Sequence, residues 1–184
     1  MRLIGLTGHK GSGKSSLAGY LSQDYDYEIF SFAEPIKNML AGLYHDLGVD
    51  PDAIEEKLYG KSKETPCPWL GGKTPRYAVQ TLGTEWGRSL IWEDLWSQRL
   101  HTFIEFSEPD AKIVIDDVRL PREMEIINNL DGMVVRVNRP GLVLGDTHAT
   151  EAIQFEAYIN IDNGGDLSDL REAAGSLDRA FSEG

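Results

Sequence analysis

At 184 residues the chain has the length of one domain and can bury a core without disulfide or metal staples. Acidic residues outnumber basic ones 30 to 18, a net charge of -12. That balance excludes a broad basic surface for a nucleic acid strand or an anionic membrane, but it leaves room for the few focused cations that a small nucleotide needs. Cys67 is the only cysteine, so no internal disulfide forms, and no apolar run approaches the roughly 18 residues of a membrane span. The expectation is a cytoplasmic, unexported protein with one domain over 1–184.

Arg2 to Thr7 is a short apolar run that reads as a buried strand. It leads into Gly8-His9-Lys10-Gly11-Ser12-Gly13-Lys14-Ser15, a full match to GxxxxGK[ST], and then into a helix over Lys14 to Gln23 with Leu17, Ala18 and Leu21 on one side. Strand, glycine loop, helix is the context that this motif requires. The glycines let backbone N–H groups turn inward around phosphate oxygens, Lys14 brings a mobile positive charge, and the Ser15 hydroxyl suits Mg²⁺. The helix start, which includes Ser16, adds roughly half a positive charge aimed at the same phosphates. ATP and Mg²⁺ are therefore expected along Gly8 to Ser16.

A second strand over Tyr27 to Phe32 runs into Phe32-Ala33-Glu34-Pro35-Ile36-Lys37, with Pro35 suited to the first turn of a helix over Glu34 to Leu47. In a doubly wound sheet this junction opens at the carboxyl edge, beside the glycine loop. Glu34 is a candidate for receiving a sugar hydroxyl or a base, or for binding metal through water, with Lys37 one turn further on. An acidic residue there also serves as ordinary dipole compensation.

The stretch before the third strand is longer than a simple crossover needs and reads as an inserted helical region over about 48–107. Helices are expected over Pro51 to Leu58, Pro75 to Leu82 and Trp92 to Phe106. The loop from Gly60 to Gly72 is too rich in glycine and proline for regular structure, and Cys67, between two prolines, reads as an incidental loop thiol. Within the insert, Gln80 to Arg88 packs an amide, hydroxyls that include Thr84, the Glu85 carboxylate, the Trp86 indole and a guanidinium into one short segment. Arg88 suits a forked grip on an acceptor phosphate, Trp86 a stack on a base, and Gln80 or Glu85 the reading of a base edge. A tryptophan is nonetheless more often core than ligand contact.

The third strand, Lys112 to Val118, is an apolar run ending in Asp116-Asp117-Val118-Arg119, as in a Walker B element. In an extended run Asp117 and Arg119 point to one side and Asp116 to the other, which favours Asp117 for the metal and Arg119 for a phosphate. A helix over Pro121 to Leu130 and a fourth strand over Met133 to Asn138 follow. Arg139 then opens a lid-like loop over about 139–151, where a cation can reach the transferred phosphate or stack on a purine. His148 and Glu151 are sparse polar landmarks in that loop, and His148 reads as a solvated histidine without a catalytic role. A fifth strand over Tyr158 to Asp162 leads to Asn163-Gly164-Gly165, a turn whose backbone amides can face an adenine, and to a final helix over Leu167 to Phe181. Strands alternating with helices imply an α/β fold with a five-stranded parallel sheet covered on both faces.

On GLTGHKGSGKSSLA, FSFAEPIK, QTLGTEWGR, DDVRLPRE, RPG and HATE, the sequence resembles the bacteriophage deoxynucleoside monophosphate kinase family, a branch of the P-loop nucleoside monophosphate kinases. The resemblance spans nearly the whole chain. It implies a three-layer P-loop kinase fold with a helical acceptor-binding insert, and MgATP-dependent conversion of deoxynucleoside monophosphates to diphosphates for phage DNA synthesis. Carried over to matching positions, it implies Lys14 and Ser15 for ATP and metal, Asp117 for the metal region, and Glu34, Arg88 and Arg119 for the acceptor. Better-known nucleoside monophosphate kinases carry several lid arginines, whereas nothing basic lies here between Arg139 and Arg171. Charge stabilisation is then expected from Lys14, Arg119 or Arg122, and Arg139. The expected partners are small-molecule nucleotides, with a homodimer left open. The rival readings are a kinase for another small acceptor, such as dephospho-coenzyme A, and a nucleotide-dependent switch.

Overall fold

Five short strands pair into one parallel sheet in the computed structural model, which describes residues 1–142 and 159–181. They are β1 (Arg2–Thr7), β2 (Glu28–Phe30), β3 (Lys112–Ile115), β4 (Met133–Asn138) and β5 (Ile159–Asp162), in the spatial order β2-β3-β1-β4-β5. Every pairing is parallel, with Leu3 opposite Ile113 and Leu6 opposite Val135. The α-helices are α1 (Lys14–Tyr25), α2 (Glu34–Asp46), α3 (Pro51–Leu58), α4 (Pro75–Thr81), α5 (Leu95–Glu105), α6 (Pro121–Asn129) and α7 (Leu167–Ala180). The chain divides into two compact units, Met1–Ser31 with Phe106–Gly184, and Phe32–Glu105. None of the described helices is long and apolar enough to cross a membrane.

In the first unit the alternation of β1 sets the layers. Ile4 and Leu6 are fully buried in a cluster with Val114, Val135 and Val137 of the sheet, Leu17 and Leu21 of α1, and Leu170, Ala174 and Leu177 of α7. Gly5 points to the opposite face, where a Cβ would lie 2.5 Å from Cδ1 of Ile127 in α6. Helices therefore cover both faces, and each fully buried Leu or Ile contributes about 1.5–3 kcal/mol relative to exposure. The α7 helix starts sharply because the Asp166 carboxylate accepts from the Ser168 N–H at 2.7 Å while Asp169 accepts from the Asp166 N–H at 3.1 Å.

The ladder of β3 is shorter than the sequence suggests. The strand stops at Ile115; the Asp116 N–H then donates to the Phe30 carbonyl at 3.2 Å and the Val118 N–H to the Leu6 carbonyl at 3.1 Å. Hydrogen bonding thus switches from one neighbouring strand to the other, so side-chain alternation cannot be carried through Asp117. β2 is likewise shorter than expected, and β5 begins at Ile159. Tyr158, His148, Glu151 and the lid-like loop beyond Leu142 lie outside the described residues.

In the second unit Leu40, Tyr44, Val49, Leu58 and Cys67 form the buried cluster. Cys67 is thus a core residue and not an incidental loop thiol: it is 1% exposed, and the Tyr44 hydroxyl donates to its Sγ at 3.6 Å. Its segment, expected to be irregular, contains short 3₁₀ turns at Lys61–Glu64 and Pro68–Leu70. The Cys67 N–H donates to the Lys73 carbonyl at 2.9 Å, and the Gly72 N–H donates to the Cys67 carbonyl at 3.0 Å, folding the loop back on itself. The α5 helix begins at Leu95, later than expected. The largest departure follows α4, which continues as a π-helix over Leu82–Ile91. A reading based on the 3.6-residue period has no means of registering i→i+5 bonding.

Candidate active site

The loop after β1 bends inward because its glycines permit it. Gly8, Gly11 and Gly13 have φ values of 137°, 80° and 108°. A Cβ at Gly8 would collide with the Val137 carbonyl oxygen, and one at Gly13 would lie 2.5 Å from Nδ2 of Asn163, so neither position admits a side chain. Lys14 folds over this loop, donating to the carbonyls of Gly8 at 2.6 Å and His9 at 2.9 Å. Lys10 is exposed at the loop tip, and Ser15 and Ser16 are exposed in the first turn of α1. The N-cap residue of that helix, Gly13, brings no side chain to cap it, which suits its first N–H groups to an acceptor from outside.

Two buried polar atoms in the loop, Oγ of Ser12 and Nδ1 of His9, have no hydrogen-bond partner among the described residues. Buried polar groups are seldom left this way without a ligand or water to pair them. A concave loop of bare backbone, an ammonium group and unpaired polar atoms fits a polyphosphate.

Two further contacts hold the loop from a distance. Asn163, buried at the end of β5, donates from Nδ2 to the Ser12 carbonyl at 2.8 Å. Its backbone N–H, expected from sequence to be available to an adenine, donates instead to the Asn138 carbonyl at 2.6 Å. Arg139 donates from Nη1 to the Gly11 carbonyl at 3.4 Å. Gly164, exposed in the turn, lies near Pro140.

Beyond β3, Asp117 accepts from the Ser31 hydroxyl at 2.8 Å. Ser31 was not singled out from sequence, although it sits inside FSFAEPIK. The same segment is turned into α6 by Glu123, which is 2% exposed and accepts from the N–H groups of Arg119 at 2.7 Å and Leu120 at 3.0 Å. The final Glu of DVRLPRE is thus a helix-start ligand that holds the Arg119 backbone. Ser15 and Asp117 offer the hard oxygen ligands that Mg²⁺ prefers.

The second unit carries the remaining candidates. Glu34, at the start of α2, accepts from the Tyr59 hydroxyl at 2.6 Å. Lys37 lies 3.8 Å from the other Glu34 oxygen and 4.2 Å above the Tyr59 ring. Burial, and then the Glu34 carboxylate, push the Tyr59 hydroxyl pKa well above its ordinary value, so it remains a donor at neutral pH. Gln80 is half-buried on α4, while Thr84, Glu85, Trp86 and Arg88 are all on the π-helix. Gly83 and Gly87 form its buried side, and Glu85 and Trp86 are exposed. Tyr59 and Trp96 were not anticipated, because neither belongs to a short motif.

The family model for deoxynucleotide monophosphate kinase matches residues 74–173. A candidate deoxynucleotide monophosphate kinase of Acanthamoeba polyphaga mimivirus is 32% identical over 163 residues, covering 82% of this chain and 81% of that protein. The deoxynucleotide monophosphate kinase of Enterobacteria phage T4 is 24% identical, covering 83% and 87% of the two chains. Among solved structures, an APS kinase of Mycobacterium tuberculosis in complex with AMPPNP and APS aligns with a TM-score of 0.52 at 11% identity over 97% of each chain. A dephospho-CoA kinase of Campylobacter jejuni aligns with a TM-score of 0.50 at 14% identity over 100% of this chain and 98% of that one. These two structures share the α/β fold of the P-loop kinases.

Proposed function

The chain belongs to the deoxynucleotide monophosphate kinase family, and from that membership we propose that it transfers the γ-phosphoryl group of ATP to the 5′-phosphate of a deoxynucleoside monophosphate. The products are ADP and a deoxynucleoside diphosphate, a building block for viral DNA synthesis. The observation that carries the donor side is the glycine loop, with Lys14 folded over it and Ser12 Oγ buried without a partner among the described residues.

Phosphoryl transfer needs placement and charge more than covalent help from the protein. Backbone N–H groups from Gly8 to Ser16 hold the donor phosphates. Lys14 exchanges its two carbonyl contacts for phosphate oxygens and follows charge as it develops on the transferred group. Ser15 and Asp117 would hold Mg²⁺, which when bound neutralises phosphate charge and orients the donor. Ser31 fixes the Asp117 carboxylate for that task. Arg139 and Arg119 supply further positive charge, with the Arg119 backbone already held by Glu123. On the acceptor side Arg88 grips the monophosphate, Trp86 offers a face for the base, and Glu34, oriented by Tyr59 and Lys37, receives a sugar hydroxyl or base edge. Gln80, Thr84 and Glu85 complete the polar lining.

Coupled ADP release measured across deoxynucleoside monophosphates, ribonucleoside monophosphates and dephospho-coenzyme A tests this reading. Stimulation by at least one deoxynucleoside monophosphate, well above the rate with ATP alone, is expected. A chain that binds ATP but releases no additional ADP with any of them would be a switch, and preferential stimulation by dephospho-coenzyme A would reassign the acceptor.

A further inference from the structure

A π-helix is a rare structure, usually limited to a single turn, and the run over Leu82–Ile91 packs against Trp96. This α5 residue is 5% exposed, and its indole N–H donates to the Gly83 carbonyl at 2.8 Å. Its ring lies against the bare backbone of Gly87, where a Cβ would fall 2.6 Å from Nε1. The same ring lies 6.2 Å from the Trp86 ring, centroid to centroid, at an interplanar angle of 39°. A Cβ at Gly83 would sit 3.0 Å from Cδ1 of Ile36. The π-helix is therefore seated through its two glycines, with the Trp96 N–H fixing one of them.

We infer that Trp96 is a positioning residue for the acceptor nucleotide. By anchoring Gly83 and packing on Gly87 it sets the rotation of the π-helix, and with it the direction in which Trp86 and Arg88 are presented. Trp96 itself is buried and acts through that helix without needing to touch the substrate. The inference rests on the reading that the π-helix binds the deoxynucleoside monophosphate. It adds a residue from outside the recognisable segment to the determinants of acceptor binding.

The test is steady-state kinetics of the full chain with Trp96→Phe, which keeps an aromatic ring and removes the N–H, alongside Arg88→Ala. Losing one buried hydrogen bond should raise the KM for the monophosphate about five- to tenfold, with the KM for ATP within about twofold of the parent. Gly87→Ala, which pushes the indole away without changing it, should give the same split and serves if Trp96→Phe folds poorly. An unchanged monophosphate KM in Trp96→Phe, with Arg88→Ala impaired, overturns the inference alone. Equal rises in both KM values would show a general structural role and also overturn it. If Arg88→Ala leaves the monophosphate KM untouched, the acceptor reading of the π-helix fails and the inference fails with it.

Discussion

Asn163 and Ser12, 151 residues apart in the chain, are joined by a 2.8 Å hydrogen bond from the Asn163 amide to the Ser12 carbonyl. The end of the last strand thereby props the glycine loop that follows the first. Since a Cβ at Gly13 would meet the same amide, the loop and its prop are fitted to each other at the level of single atoms.

Replacing Asn163 with alanine leaves the buried Ser12 carbonyl without this donor, at a cost of about 1–3 kcal/mol. The expected outcome is a lower Tm together with weaker ATP binding by calorimetry, while monophosphate binding stays near the parent value. Undiminished ATP affinity would remove Asn163 from the donor site.

Lys14→Ala deletes the mobile cation of the loop. Turnover should fall on the order of 10²-fold or more, the usual loss when one preorganised charge-stabilising donor is removed. Circular dichroism should show the fold intact, because the Gly8 and His9 carbonyls that Lys14 holds are only part-buried and water can take the place of its ammonium. Near-normal turnover would contradict its assignment.

The two neighbouring carboxylates can be separated experimentally. Asp117, which accepts from Ser31, is expected to bear on the metal, so Asp117→Asn should lower turnover about tenfold or more and raise the Mg²⁺ concentration needed for half-maximal rate. Asp116→Asn should do less on both measures. The reverse order would transfer the role to Asp116.

Asp178 on α7 ties together the starts of two strands, accepting from Arg2 at 2.7 Å and Lys112 at 3.1 Å. Burial opposes ionisation, but the hydrogen bonds and charges of Lys112 and Arg2 outweigh it and hold the carboxyl below its ordinary value of 3.8. A folded-state pKa below the unfolded one contributes stability that is full above about pH 4 and is lost as pH falls through the folded value. Asp178→Asn should therefore lower the Tm at pH 7 by an amount equivalent to about 1 kcal/mol, and the gap to the parent should close under acid. A gap independent of pH would mean that packing, and not charge, is what the substitution removes.

The glycine loop, the chain order of strands and helices, and the apolar face of α1 were legible because each is decided by residues a few positions apart. A glycine spacing or an apolar stripe carries its meaning locally. QTLGTEWGR could likewise be recognised as a segment with the side chains to hold a nucleotide. Its π-helical conformation could not, and the contacts that Gly83 and Gly87 make there are to Trp96 and Ile36, which lie outside the segment. Cys67 does lie in a loop, as its flanking prolines suggest, but its burial beside Tyr44 makes it part of a core, which its neighbours in the sequence do not announce.

The sequence by itself determined that a glycine loop of the GxxxxGK[ST] pattern stands between the first strand and the first helix, and that a polar, aromatic segment lies in an insert before the third strand. Tertiary structure decided what holds those parts in working geometry: Asn163 on Ser12, Ser31 on Asp117, Tyr59 on Glu34 and Trp96 on Gly83. Each is a directional contact between residues separated by 13 to 151 positions in the chain. Hydrogen-bond geometry at that separation is set by how strands and helices pack, and no short-range pattern in the sequence encodes it.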